Sequence, residues 1–566
     1  MVGSAVREKE SESGRTPGGR TGDRTGGGDT TPAHVPGAQQ RGERLLVALR
    51  ERIPGPRVLA WSLTALFFVL YAVVAVLRHG RMLNGGFDIG IFEQAIKAYA
   101  HLRAPVVELK GPGFNLLGDH FHPILVLVAP FYRLVPRTET LLVVQSALLA
   151  LAVVPLTRWA HRALGPVAAL VVGCGVGASW GIVSAAAKDF HEIAFAVPLL
   201  AFCAVALGQR RWWAGALWAA PLLLVKEDLG LTLSAVGLYI AWQALRERRA
   251  ASRAPSAGKT YSAPSTGGTY SASAAVAGGS DVLPPPGPSI AARLRLGVAV
   301  VLLGAAGSAV EILVLLPAMN PAGGFAYWGQ IPGDESAASG SALSLALGVF
   351  WPPMKYLLLL MLAAPVAFFG VRSPLLLLCA PTLGWRFVAG NEHYWTPGFH
   401  YSAILMPVLF AGFVDVLSRR KELLPGVRRR RALAFSAAFT AVTAAVYPLH
   451  DLVLPAAWRT PAHVTVARQI LDRIPDGATV ASSNRLAPLL TSRTTVSLVC
   501  YGTGADPAAP TGLPADPPQW VVSDRTDPTV KVPCPVATSE RMLRLYRTHG
   551  YVQVADRDGI ILLRRP

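Results

Sequence analysis

Residues 58–77 read VLAWSLTALFFVLYAVVAVL, and residues 87–94 soon after read FDIGIFEQ. The first stretch supplies the roughly 20 apolar residues that a helix needs to cross a bilayer. Arg41, Arg44, Arg50, Arg52 and Arg57 precede it. Basic residues hold that end of a span on the cytoplasmic side, so residues 78–138 are expected outside. There, FDIGIFEQ and its continuation GDHFHP (residues 118–123) gather acids, histidines, glycines and aromatics amid Leu, Ala and Val. Polar chemistry beside a membrane span is costly and points to a function.

Composition agrees with that start. Of 566 residues, 52% are hydrophobic and only 15% charged, with mean hydropathy +0.39. That is too apolar for a soluble chain of this size and typical of a multi-span membrane protein. The net charge of +19 is carried largely by short Arg clusters between apolar runs, a topology signal and not a nucleic-acid groove. The N-terminal sequence has no apolar core of the signal-peptide kind, so the first span is expected to act as both signal and anchor.

Outward from the first span, apolar runs recur at 139–157, 164–184, 193–208, 212–225, 229–244, 293–316, 354–371, 374–390, 400–417 and 431–449. They predict an all-α polytopic membrane bundle of about eleven spans over residues 58–449, N-terminus inside and C-terminus outside. Residues 1–57 read as a disordered basic cytoplasmic tail, and residues 250–292 as a cytoplasmic Ser/Ala/Gly/Pro-rich linker. Nearly every basic cluster then falls on one side and every acid–histidine cluster on the other. In the first outer loop, Phe92, Ile96 and Tyr99 recur at helical spacing and predict a helix lying along the membrane surface. Phe121 to Val135, short and bearing Pro123 and Pro130, predicts a re-entrant or juxtamembrane segment. A later outer loop, 317–353, carries Asn320, Tyr327, Trp328, Asp334 and Glu335.

Residues 450–566 differ in kind. Helical segments at 463–474, 484–490 and 540–548 alternate with strands at 478–482, 495–499 and 520–523, and a hairpin with Asp558-Gly559 as its turn closes the chain. A small extracytoplasmic α/β domain is expected, without a Gly-rich phosphate loop. Cys500 and Cys534 can form a disulfide if this region lies outside, whereas Cys174, Cys203 and Cys379 sit in apolar runs as packing residues.

Five groups of residues carry candidate chemistry. Asp88 suits the N-cap of the surface helix, and equally a general base or metal ligand. Glu93 lies five residues on and is either a solvated charge or a substrate contact. Asp119, His120 and His122 form a D-H-x-H cluster able to hold a divalent metal or a phosphate, or else a locally hydrogen-bonded loop. Lys188, Asp189, His191 and Glu192 follow a span directly and are expected to pair with one another or with the first loop. Lys226, Glu227 and Asp228 have the same logic, or mark the tip of a tight hairpin. His393, Tyr394, His400 and Tyr401 flank Trp395 in what can be an interfacial aromatic belt, yet the histidines, with Arg386, suit a phosphate or a sugar hydroxyl.

Taken in order, FDIGIFEQ, LLGDHFHPIL, KDFHE, LLVKEDLG and HYWTPGFHY resemble an uncharacterised family of bacterial and archaeal predicted membrane proteins, domain of unknown function 2079. That family is similar, more distantly, to the C-type-fold integral-membrane glycosyltransferases that use polyprenyl-phosphate sugars. The resemblance implies that Asp88 stands at the catalytic acid position, with Asp119 or Asp189 at that of a second acid. It implies a polyprenyl-phosphate-linked sugar as donor, an acceptor of unstated identity, and the outer face of a bacterial cytoplasmic membrane as location. The loop has no D-x-D pair, so a divalent metal held by Asp88 and Asp119 stays an open expectation. A transporter or flippase for a lipid-linked or polar solute, and a non-catalytic scaffold, are the competing classes.

Overall fold

The computed structural model describes residues 53–253, 288–325, 327, 351–419, 426–501, 511–527 and 533–566. Residues 1–52 of the N-terminal tail, most of the linker, Trp328, Asp334 and Glu335 lie outside the described residues.

The first span is helix α1, Pro56–Gly80. Proline in its first turn removes an amide that would have had no partner there, and Arg78 and His79 in its last turn complement the helix dipole. Among the described residues, five helices are long and apolar enough to cross a membrane: Pro56–Gly80, Thr138–Leu164, Pro166–Ala187, Ile290–Met319 and His400–Arg419. Five shorter apolar helices accompany them, at Pro123–Leu134, Glu192–Gly208, Trp212–Leu224, Met354–Val366 and Pro374–Val388. Many short runs are broken by 3₁₀ turns at prolines, as at Pro374–Cys379, because proline withholds an amide and disturbs the α ladder. The helices Leu229–Arg253 and Ile290–Val310 pack backbone to backbone through small residues. A Cβ on Gly304 would lie 2.3 Å from the Gly230 carbonyl oxygen, so only glycine allows this approach.

The helix read from Phe92, Ile96 and Tyr99, α2, is Ile91–Ala100, preceded by a single π-helical turn over Gly86–Gly90. The segment after it is the 3₁₀ turn Pro123–Val128 followed by the short helix Ala129–Leu134.

At the C-terminal end, strands β1 (Thr479–Ser482), β2 (Thr495–Leu498), β3 (Trp520–Asp524), β4 (Val552–Arg557) and β5 (Ile560–Arg564) form one mixed sheet in the order β2-β1-β3-β5-β4. β1 is parallel to both β2 and β3, while β5 pairs antiparallel with β3 and β4. The turn between β4 and β5 uses Asp558 and Gly559, both at positive φ (51° and 79°), as the Asp-Gly pair predicts. Helix Val536–Thr548 covers one face with Met542, Leu543 and Tyr546 against Val521, Ile561 and Leu563. A disulfide joins Cys500 to Cys534.

This sheet region is not detached from the helices. One buried apolar cluster runs from α1 and α2 through to Ile470, Leu486, Leu490 and Val496. The side chains beneath the sheet thereby press on the loop that carries Asp88.

Candidate active site

The loop after α1 is held by its own backbone. The Gly85 amide donates to Asp189 Oδ1 (3.0 Å), that of Gly86 to the Asn484 carbonyl oxygen (2.7 Å), and that of Phe87 to Asn484 Oδ1 (2.8 Å). A Cβ on Gly86 would stand 2.5 Å from Cβ of Ala487, so the close approach of these two segments requires glycine. Asp88 follows in the π-helical turn, a distortion that re-aims a side chain within a helix and recurs at functional sites.

Asp88, exposed in this turn, lines a cavity of about 410 Å³. Asp189 lies buried behind it, close enough for the two carboxyl groups to act on each other's charge. Enclosure by protein holds Asp88 above the usual carboxylate range, with Lys188 and Lys110 offsetting part of the rise. Burial and then the neighbouring Asp88 charge hold Asp189 up as well. Gln145 fixes the segment from below: its Nε2 donates to the Asp189 carbonyl oxygen (3.1 Å) and its Oε1 accepts from the His191 amide (2.9 Å).

Around the cavity, acids and cations alternate. Lys110 Nζ lies 2.9 Å from Asp119 Oδ2, and Tyr327 donates to Asp119 Oδ1 (3.2 Å). His120 Nδ1 lies 2.7 Å from Glu227 Oε1, whose other oxygen accepts from the Phe121 amide (3.2 Å). Lys226 Nζ lies 3.2 Å from Glu192 Oε1. Burial disfavours the Lys226 charge, but Glu192, Glu227 and Asp228 outweigh it and keep the ammonium fully protonated. Burial and Lys226 also oppose charge on His120, and Glu227 and Asp119 reverse the balance. Burial alone would raise Asp119, yet His120 and Lys110 pull it below its ordinary value. Burial pushes Asp228 up to about 6 and His122 down to about 4. His122 is therefore neutral, and its buried Nδ1 has no hydrogen-bond partner among the described residues. The His191 ring rests on that of His400, centroids 3.6 Å apart.

Of the residues singled out from sequence, Asp88, Asp119, His120, His122, His191, Glu192, Lys226, Glu227, Asp228, Tyr394, His400 and Tyr401 line this cavity. Lys188 lines a neighbouring one of about 310 Å³ with Arg78, Ser184 and Tyr447, its ammonium 5.0 Å from the Phe399 ring centroid.

Three of these residues lie away from the cavity. Glu93 is fully buried outside it, where Tyr132, Thr138 and Thr491 hydroxyls donate to its carboxyl. Arg386 does not offer its charge to the cavity. Its guanidinium donates to the carbonyl oxygens of Tyr394 (2.6 Å) and Tyr401 (3.3 Å) and to Ser402 Oγ (3.3 Å), fixing the loop between them. His393 is exposed outside the cavity and turns to Asn391 Oδ1 (2.8 Å).

Lys110 and Tyr327 join the cavity without having been singled out for chemistry. In the sequence Lys110 is one of several basic residues of the first outer loop, and Tyr327 one of the aromatics of the later loop 317–353. Among the described residues no group of three or more His, Cys, Asp or Glu side chains is arranged to hold a metal ion. Both Asp119 oxygens are engaged by Lys110 and Tyr327, and Asp88 faces Asp189, so Asp88 and Asp119 do not fit as a shared metal dicarboxylate.

The fold and cavity define an integral membrane protein with multiple apolar helices, a C-terminal mixed sheet and an acid-and-cation-lined site beneath it. The structure is similar to crystal structures of ArnT from Cupriavidus metallidurans. The form bound to undecaprenyl phosphate aligns over 88% of this chain and 97% of ArnT, with TM-score 0.51 and 15% identity. The apo form aligns over 93% and 98%, with TM-score 0.47 and 14% identity. The chain belongs to the family described as predicted membrane protein (DUF2079), whose model matches residues 78–562. No curated protein matches it in sequence.

Proposed function

We propose that this protein transfers a sugar from a polyprenyl-phosphate donor to an acceptor hydroxyl on the outer face of the bacterial cytoplasmic membrane. In this reading the chain crosses the membrane about eleven times, with the sheet region outside. The observation that carries it is the meeting of Asp88, Lys110, His120 and Lys226 on one cavity. Asp88, held above the ordinary carboxylate range, takes the acceptor proton as the hydroxyl oxygen bonds to the anomeric carbon. The bond from that carbon to the phosphate oxygen breaks, and its electron pair leaves with the phosphate. Lys226, His120 and Lys110 stabilise the charge that gathers there. Leu231 and Ile312 line the cavity, and Leu313 and Val314, next in sequence, are exposed, which suits the exit of a prenyl chain into lipid. The likeness to ArnT bound to undecaprenyl phosphate supports a carrier of that class. No step is routed through a metal.

A panel of polyprenyl-phosphate sugars, each with a radiolabelled sugar, tests the proposal with the purified chain in native lipid extract. One donor should lose label to an acceptor. Intact donors throughout, with the label merely moved across the bilayer of sealed vesicles, would favour transport instead. That second reading has one observation on its side: Glu311 is buried within the span Ile290–Met319 and its Oε2 has no hydrogen-bond partner among the described residues.

A further inference from the structure

The helix Glu192–Gly208 begins at the cavity and runs away from it, so its far end stands about 25 Å off at ~1.5 Å per residue. At that end, a separate cavity of about 130 Å³ opens between this helix, the helix Trp212–Ala219 and the helix Val153–Leu164. Arg158, Arg162 and Arg211 line it together with Gln209, Phe202 and Trp218. Among the described residues none of the three arginines has a carboxylate within ion-pair distance. The nearby acids are taken by other arginines: Glu247 by Arg210 and Arg293, and Asp415 by Arg419. Three unneutralised guanidinium groups around one hollow repel one another, and an anion relieves that repulsion. Planar guanidinium groups match phosphate oxygens in pairs.

The rest of the wall says where the anion comes from. Phe202 and Trp218 stack at 4.5 Å to form an apolar side. Trp213, Leu217 and Trp218 are 57%, 70% and 41% exposed on the adjoining helix, an apolar surface that acyl chains would cover. A basic hollow between spans, with apolar side chains beside it, is how anionic headgroups are held at a membrane face.

We propose that Arg158, Arg162 and Arg211 form a site for the phosphate headgroup of an anionic phospholipid, whose acyl chains lie over Trp213, Leu217 and Trp218. The site is independent of the transfer chemistry and is tested without it. The full chain is embedded in phosphatidylcholine nanodiscs containing cardiolipin or phosphatidylglycerol, and lipids that stay bound on release are weighed by native mass spectrometry. The wild type should retain the anionic lipid over phosphatidylcholine. Replacing all three arginines by glutamine should cut that retention roughly tenfold or more. Arg162→Gln and Arg211→Gln, at exposed positions, give the same reading singly if the triple variant does not fold. Arg428→Gln with Arg429→Gln and Arg430→Gln removes equal charge elsewhere and should leave retention unchanged. Equal loss in that control, unchanged retention in the triple variant, or displacement of the lipid by millimolar inorganic phosphate would each overturn the assignment.

Discussion

Asn484 Oδ1 accepts the Phe87 amide at 2.8 Å, across 397 positions of sequence and one residue before Asp88. The sheet region thus reaches into the loop that presents the candidate base. Asn484→Ala leaves that amide without its partner at a cost of about 1 kcal/mol, while Asn484→Asp keeps an acceptor oxygen. The expected outcome is a transfer rate lowered roughly tenfold or more in Asn484→Ala, with donor binding little changed. Amide exchange should quicken in peptides spanning residues 85–90. Recovery of both in Asn484→Asp separates positioning from loss of fold.

Glu93 gives the same junction a pH dependence. Burial pushes its carboxyl up to about 7 from 4.5, with the Thr491, Thr138 and Tyr132 hydroxyls offsetting part of the rise. A raised folded-state pKa contributes stability that is fully present below the unfolded pKa and is lost as pH rises through the folded one. The shift corresponds to roughly 3 kcal/mol, lost between about pH 4.5 and 7 and beyond. Glu93→Gln should show a smaller fall in thermal midpoint than the wild type from pH 5 to 8.

Lys226 neutralises the densest group of acids. Lys226→Met leaves Glu192, Glu227 and Asp228 facing one another without it, a change worth about 3–5 kcal/mol of destabilisation for a broken buried pair. Its thermal midpoint should fall and transfer should be lost. Lys226→Arg should restore the midpoint more than the rate, because the bulkier guanidinium occupies the space of the leaving phosphate.

Asp119 is spent on Lys110 and Tyr327, so chelation should not matter. Transfer measured after exhaustive treatment with EDTA should match that of the untreated protein, and adding back magnesium or manganese should change it less than about twofold.

The spans were legible because hydropathy acts locally: the apolar run 58–77 became Pro56–Gly80 and the run 293–316 became Ile290–Met319. The hairpin at Asp558-Gly559 was legible for the same reason, since positive φ at two successive residues favours that pair. Asp88 and the D-H-x-H cluster stood out because polar groups beside spans are costly, and both line the cavity. What stayed hidden depends on distant partners. Glu93 looked like a solvated charge until Thr491, 398 positions on, closed over it. Arg386 looked like a phosphate cation, but carbonyl oxygens of a neighbouring loop accept from its guanidinium. Lys110 needed Asp119 beside it to acquire a role, and spacing does not reveal that pairing.

The central claim is that Asp88 takes the acceptor proton. The most direct measurement compares wild type with Asp88→Asn, using the donor that the panel identifies and binding of undecaprenyl phosphate as a check on fold. Transfer should fall by about 10²- to 10⁴-fold, the usual worth of a general base, with undecaprenyl phosphate still bound. Full transfer by Asp88→Asn would contradict the account.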